Sequence, residues 1–264
     1  MTSIKFRCPG SAAKILLVMV VGAVTTPLFA TDAVTNGGFE SGDLTGWTRI
    51  GLGQATGSGI GVTPTEGSFQ GYIETTGNLT ALAPAVAASL GLSGPAIAAL
   101  GAGTPVNGTG ISQNVTVSAG DTLSFDWNFL TSELTELPMY NDFGFFSISG
   151  SAFLLASHDG STFNTISPPA GFEGQTGWMT QTYTFPSAGT YSIGFGVFNV
   201  GDAGHDSALV LDAVSVPVAV PEPTSATLSA LALVGLVAWG WRRRHAELTV
   251  TREVTPRRPL CWTR

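Results

Sequence analysis

GISQNVTVS at Gly110–Ser118, the turn Ala119-Gly120-Asp121 and TLSFDWNF at Thr122–Phe129 decide the fold. In both arms apolar and polar residues alternate, the period-two pattern of a strand with one buried and one wet face. Outward from this hairpin, Phe143–Ile148 (FGFFSI), Ser151–Leu155, Trp178–Phe185, Thr190–Asn199 and Ser207–Val216 read as further strands. Gly, Pro, Asn and Ser lie between them. Short strands at this spacing predict an all-β domain, an antiparallel β-sandwich. Leu79–Leu100 departs from the pattern, being rich in Ala and Leu and interrupted at Pro84 and at Gly91-Leu92-Ser93-Gly94-Pro95. It reads as a short helical insertion of two helices capping the sandwich. Its prolines and glycines prevent one continuous lipid-inserting span.

The two ends of the chain are apolar. Lys5, Arg7 and Lys14 precede Ile15–Val24, and Pro27-Leu28-Phe29-Ala30 offers a small residue at a cleavage point. That order predicts a secretory signal peptide over residues 1–30. Near the other end stand Val220-Pro221-Glu222-Pro223, a charge-free run from Thr224 to Trp241, and Arg242-Arg243-Arg244. As a helix the run would be roughly 27 Å long at ~1.5 Å per residue, enough for a thin hydrocarbon core. Trp239 and Trp241 sit beside the arginines as interfacial anchors, and the arginines are expected to stay cytoplasmic. The tripartite tail resembles the PEP-CTERM sorting signal of Gram-negative bacteria that make extracellular polysaccharide. The resemblance implies processing by an exosortase, a membrane cysteine protease-transpeptidase, with Pro221, Glu222, Pro223, Arg242, Arg243 and Arg244 as the sorting motif. The implied organisation is a signal peptide (1–30), an ectodomain (31–220, with the insertion at 79–100), a sorting tail (221–245, transmembrane helix 224–241) and a short basic extension (246–264). The extension departs from the family, whose tails stop soon after the arginines.

Charge narrows the partners. Between Thr31 and Val220 there are fifteen Asp or Glu residues and one base, Arg49, a net charge near −14. Such a surface repels nucleic acid and anionic lipid, which excludes DNA or RNA binding. The two cysteines, Cys8 and Cys261, lie outside the ectodomain, so it has neither a disulfide nor a thiol nucleophile.

The ectodomain opens with Asn36-Gly37-Gly38-Phe39-Glu40 and closes with Asp212-Ala213-Val214. This pairing resembles the first and last strands of carbohydrate-binding-module-type jelly rolls. The resemblance implies a jelly-roll-like sandwich whose end strands lie close together, and a structural Ca²⁺ held in part by Glu40 and Asp212. Carboxylates and main-chain carbonyls in Gly- and Asn-rich turns supply the oxygens that Ca²⁺ takes. An acidic domain without disulfides also gains stability from an ion that binds only its folded state. Without the ion, Glu40 is a turn residue and Asp212 a hydrogen-bonding strand residue.

A second cluster runs from Phe125-Asp126-Trp127-Asn128-Phe129 through Glu133 to Tyr140-Asn141-Asp142-Phe143. It resembles the ectodomain core of PEP-CTERM and related choice-of-anchor surface proteins, which share no agreed activity. Asp126, Asn128, Glu133, Asn141 and Asp142 place oxygens at a strand end and the following loop, and Asp202 and Asp206 could join them as a second cation site. The same residues also suit Asx turns and loop closure. For a glycan, Trp47, Tyr72, Trp127, Tyr140 and Trp178 are aromatic candidates. Trp127 is expected to be buried and Trp47 to close the sandwich, leaving Tyr140 and Trp178 to face solvent.

No G-x-S-x-G, H-E-x-x-H or phosphate-cradling loop is present, and with fifteen carboxylates some opposed pair is inevitable. The chain is therefore not expected to be an enzyme. The reading adopted is an exported protein with a structural or adhesive role associated with exopolysaccharide. The alternatives are a carbohydrate-binding module with a specific glycan ligand and a hydrolase of matrix polysaccharide.

Overall fold

A computed structural model describes residues 31–77, 80–133, 139–160, 163, 167–218 and 225–250, with side chains omitted at 31, 218, 225–228, 230 and 244–250. In chain order the strands are β1 (Thr31–Asp32), β2 (Thr48–Ile50), β3 (Leu52–Thr56), β4 (Gln70–Glu74), β5 (Ala81–Leu82), β6 (Pro105–Val117) and β7 (Thr122–Thr131). There follow β8 (Phe143–Ile148), β9 (Ser151–Ser157), β10 (Gly174–Gln175), β11 (Met179–Thr184), β12 (Gly189–Val200), β13 (Ser207–Ser215) and β14 (Pro217–Val218). The helices are α1 (Ala83–Ser89), α2 (Gly94–Ala98) and α3 (Ser225–Val250). Two antiparallel sheets form the sandwich. One runs β10-β7-β13-β4-β3 with β11 also on β7, and the other β2-β6-β12-β8-β9 with β5 also on β6.

The two strands predicted on either side of the Ala119-Gly120-Asp121 turn are present as β6 and β7, but they belong to different sheets and do not pair with each other. β6 pairs β12 and β7 pairs β13. Alternation fixes which face of each strand is buried, not which strand lies beside it. The small, Gly-rich strands β2 to β4 carry too little alternation to be read in advance.

Between the sheets, Ile111, Val115, Phe125, Trp127, Phe129, Phe146, Ile193, Phe195, Val197, Leu209 and Leu211 form the main core. Phe125 packs edge-on to Phe195 and to Phe146, with ring centroids 4.8 and 5.3 Å apart. Trp127 is buried as expected, and Trp47 closes one side by stacking on Phe39 at 5.7 Å.

The insertion forms the two expected helices. Pro84 does not interrupt α1; it occupies its first turn, where a missing N–H costs nothing. Ser93 caps α2 by accepting from the Ala96 N–H. Val86, Leu90 and Ile97 cover the outer face of the β12 sheet over Phe143, Phe145 and Phe198. The other sheet's outer face is covered by Ile60, Val62, Phe172 and Trp178 over Tyr72, Leu130 and Val210. Both sheets are thus clad on two faces.

α3 covers the expected apolar run and continues past the arginines into residues 246–250. Among the described residues no helix is long and apolar enough to cross a membrane. The expected span starts at Thr224, outside those residues, as do the signal peptide, Pro221, Glu222 and Pro223.

Phe195 is fully buried between Trp47 and Phe125. Phe195→Ala is expected to cost about 3–5 kcal/mol of folding stability in denaturant titration. An unchanged midpoint would place the main core elsewhere.

Candidate functional site

The opening motif is not a strand. Asn36 to Gly46 form a turn-rich loop tied to the far end of the chain. Gly37 lies against the Val214 carbonyl, where any Cβ would collide, and its own carbonyl accepts the Val214 N–H at 3.1 Å. Phe39 adopts φ 58° and drives its ring into the core. β1 pairs β14 through Thr31–Val218 and Asp32–Pro217, so the two ends of the domain do lie together.

Glu40 and Asp212 grip one loop from two sides. The Glu40 carboxylate accepts the N–H groups of Ser68 and Phe69 at 2.8–3.0 Å, resting over Gly67, whose φ of 56° also favours glycine. Asp212 Oδ2 accepts from Thr65 N, Thr65 Oγ1 and Glu66 N at 2.7–3.1 Å, and Oδ1 from Ala213 N at 2.8 Å. Ala213 takes φ 50° at the bulge that makes this last bond possible. Burial raises the Asp212 carboxyl above the ordinary carboxylate value, while these donors pull it back.

Main-chain N–H groups, with the Thr65 hydroxyl on Asp212, thus hydrogen-bond both carboxylates that the resemblance assigned to calcium. Glu66 was missed from sequence. Its carboxyl is raised by burial and by the negative charges of Asp212 and Glu40. Nothing local to Thr65-Glu66-Gly67 announces that meeting, since it depends on where the loop lands.

The second predicted cluster is divided between two faces. Asp126 and Asn128 point outward from β7. Asp126 accepts from Thr180 Oγ1 at 2.6 Å, and Asn128 donates to Gln175 Oε1 at 2.9 Å. Asn141 accepts the Asp159 N–H and Asp202 the Gly204 N–H, both at 2.9 Å, so each closes a loop. Asp206 contributes its carbonyl to Ser132 and is half-buried, its carboxyl raised mainly by burial.

Only Glu133 and Asp142 come together, and they do so inside the sandwich. Both are fully buried. Glu133 Oε2 accepts the Asp142 N–H at 3.1 Å, and Asp142 Oδ1 accepts the Val200 N–H at 2.8 Å. Burial raises both carboxyls, their mutual repulsion raises Asp142 further, and Asp202 and His205 act on Glu133 with opposite signs.

This end of the interior is polar throughout. Thr75, Thr109, Thr131, Asn199 and Ser207 are buried beside the pair. Ser207 Oγ donates to Thr131 Oγ1 at 3.0 Å, and Thr75 Oγ1 accepts the Ser207 N–H at 2.9 Å. One signal for it was visible in sequence. Ile193, Phe195 and Val197 alternate onto the buried face, and Asn199 continues that row.

The two glycan candidates are both partly buried. Tyr140 is half-buried against Gly201. Trp178 is half-buried, packs against the Val62–Tyr72–Val210 cluster and donates its indole N–H to the Thr63 carbonyl at 2.9 Å. In the tail, Arg242 is exposed and the Arg243 guanidinium lies 4.1 Å over the Trp239 ring, while the Arg244 side chain is outside the described residues. Among the described residues no group of three or more His, Cys, Asp or Glu is placed to hold a metal ion.

The PEP-CTERM protein-sorting motif matches residues 219–244. The motif implies export and exosortase-mediated sorting to the surface. No curated protein matches the chain. Among solved structures, TmCBM61 in complex with β-1,4-galactotriose is similar over 69% of this chain and 96% of its own, at 14% identity and a TM-score of 0.39. The K1 cleaved adhesin domain of Lys-gingipain from Porphyromonas gingivalis W83 is similar over 69% and 96%, at 16% identity and a TM-score of 0.38. The CBM22-1 xylan-binding domain of Paenibacillus barcinonensis Xyn10C is similar over 73% and 98%, at 12% identity and a TM-score of 0.30. At such identities the likeness concerns the β-sandwich alone.

Asp212→Asn removes a charged acceptor from three N–H groups and a hydroxyl. It is expected to cost about 2–3 kcal/mol of stability in denaturant titration, in chelator as well as in calcium. A loss confined to calcium-containing buffer would make the carboxylate an ion ligand first.

Proposed function

We propose that this chain is a non-catalytic surface protein whose β-sandwich serves a structural or adhesive role in or beside the exopolysaccharide layer. The observation that carries this reading is the junction at residue 218. β14 ends at Val218, and the sorting motif begins at residue 219. β14 is itself paired with β1, so the tail leaves from a strand tied to the start of the domain. An exosortase acting on the tail would handle the folded domain and its anchor as one unit, with almost no linker between them.

The tail's apolar helix serves in this reading as the membrane anchor before processing. Leu231, Leu233, Val234, Leu236 and Val237 are all exposed and spread around the helix, an apolar surface on every side. Beyond the membrane, the net charge near −14 resists nucleic acid and anionic lipid but suits a hydrated, cation-rich matrix.

Two features weigh against the other readings. Glu133 and Asp142, an acid pair, are buried inside the sandwich out of a polymer's reach, which disfavours them as a hydrolase's carboxylates. Tyr140 and Trp178 are each half-buried, and Trp178 is tied to the Thr63 carbonyl, which favours packing over stacking on a glycan.

In a host with an active exosortase, the intact chain is expected at the surface or in the matrix. Pro221→Ala with Glu222→Ala is expected to leave it in the inner-membrane fraction. Equal surface delivery of the variant would overturn the sorting role. A glycan array tests the rival module: one saturable ligand would displace the structural reading.

A further inference from the structure

We propose that the polar end of the sandwich interior, where Asn107, Glu133, Asp142 and Asn199 meet, is a calcium-binding site. The strand register brings these residues together. Asn199 of β12 pairs with Asn107 of β6. On the other side of β12, Phe198 pairs with Phe143 of β8, which puts Asp142 next in line opposite Asn199. All three share the inward face. Asn199 continues the row Ile193, Phe195 and Val197, which belongs to the main core. Gly144, two residues from Asp142, faces Phe129 and Leu209 of the opposite sheet. Glu133 arrives from that opposite sheet, two residues past Thr131, and accepts the Asp142 N–H.

Four acceptor oxygens at this point lack a hydrogen-bond partner among the described residues, Asn107 Oδ1, Glu133 Oε1, Asp142 Oδ2 and Asn199 Oδ1, as does the Asn199 Nδ2 donor. Glu133, Asp142 and Asn199 are each fully buried. Leaving buried acceptors unpaired is costly, and four at one place is a concentration that native interiors avoid. The remaining oxygen of each carboxylate is already engaged by a main-chain N–H, so the free oxygens are the ones turned to the shared space.

Charge points the same way. Two carboxylates are enclosed together, and Arg49, the one Lys or Arg between Thr31 and Val218, donates instead to the Gly53 carbonyl. His205 lies near enough to Glu133 to oppose part of its charge, but Asp202 acts on the same group with the opposite sign. Two carboxylate and two amide oxygens make an all-oxygen set of candidate ligands. Such a set selects a hard cation and accommodates calcium's irregular, high coordination better than magnesium's strict octahedron. Half of it is amide, which is why a survey of His, Cys, Asp and Glu alone passes it by. The site lies on the opposite face of the strands from Asp126 and Asp212, so it is separate from the loop grip at Glu40 and Asp212.

The test uses the full chain purified in detergent, stripped with chelator and returned to calcium chloride. Metal content is read by mass spectrometry and melting by calorimetry. Calcium at about 100 times its Kd is expected to raise the Tm by about 5–10 °C, with bound calcium near one equivalent at this site. Glu133→Gln with Asp142→Asn keeps shape but removes both charges. It is expected to melt at one temperature in calcium and chelator alike, and no lower than the chelated wild type. Asn199→Asp adds a third carboxylate. It should lower the melting temperature in chelator and enlarge the calcium response, which keeps the proposal testable if the double variant fails to fold. Glu66→Gln should leave the response intact. Wild-type protein that melts identically in calcium and chelator would overturn the site, and the carboxyls would then share a proton. A calcium response abolished by Glu66→Gln but kept by the double variant would overturn it as well, placing the ion at the outer rim.

Discussion

The constraint on which the rest of the structure depends is the two-residue alternation of the long strands β6, β7, β12 and β13. Because successive side chains leave a strand on opposite faces, each of these strands commits Phe125, Trp127, Phe129, Phe195, Leu209 and their neighbours to one shared layer. A one-residue slip would expose the whole set, so register and core are a single decision. The outer faces carry a second requirement. They too are partly apolar, and they are closed by α1 and α2 on one sheet and by segments near Val62 and Trp178 on the other.

The same alternation makes the polar end conspicuous. Rows that are apolar along most of their length finish in Asn199, Asp142, Thr131 and Asn107, all directed inward at one end of the sandwich. A buried polar layer of this kind stabilises only when each group is satisfied, and it penalises the fold when one is not. At the outer rim the opposite solution is used. Asp212 and Glu40 face main-chain N–H groups of the 65–69 loop, and those donors neutralise the carboxylates without any further partner. One domain therefore handles two groups of acids in two ways, by backbone donors outside and by convergence inside.

Placement at the surface follows from a different part of the chain. The sorting motif is a linear signal, read by an enzyme as a sequence and independent of the sandwich. Its physical link to the fold is the β1–β14 pair, which ties both ends of the domain together next to the tail. Pull on the tail is thereby borne by main-chain hydrogen bonds close to the loop that Glu40 and Asp212 grip. The Asn36–Glu40 motif belongs to this closure. Gly37 is there because the backbone of β13 leaves no room for a side chain, and Phe39 because its ring must reach Trp47.

What the sequence determined alone was whatever depends on near neighbours. Strand periodicity over Phe143–Ile148 and Thr190–Asn199, the break between the two short helices at Gly91-Leu92-Ser93-Gly94-Pro95, the apolar ends and the Pro221-Glu222-Pro223 signal are all local patterns, and each could be read in place. The acids could be named but not grouped. Asp126, Asn128, Glu133 and Asp142 look like one cluster along the chain. The pleat sends the first two outward, while the packing of one sheet on the other brings only the last two together. Glu66, Asn107 and Asn199 joined their sites through strand pairing and loop closure over long separations in sequence. Only the tertiary structure decided those meetings, because contact between opposite sheets depends on register and sheet order, and neither leaves a mark within a short window of residues.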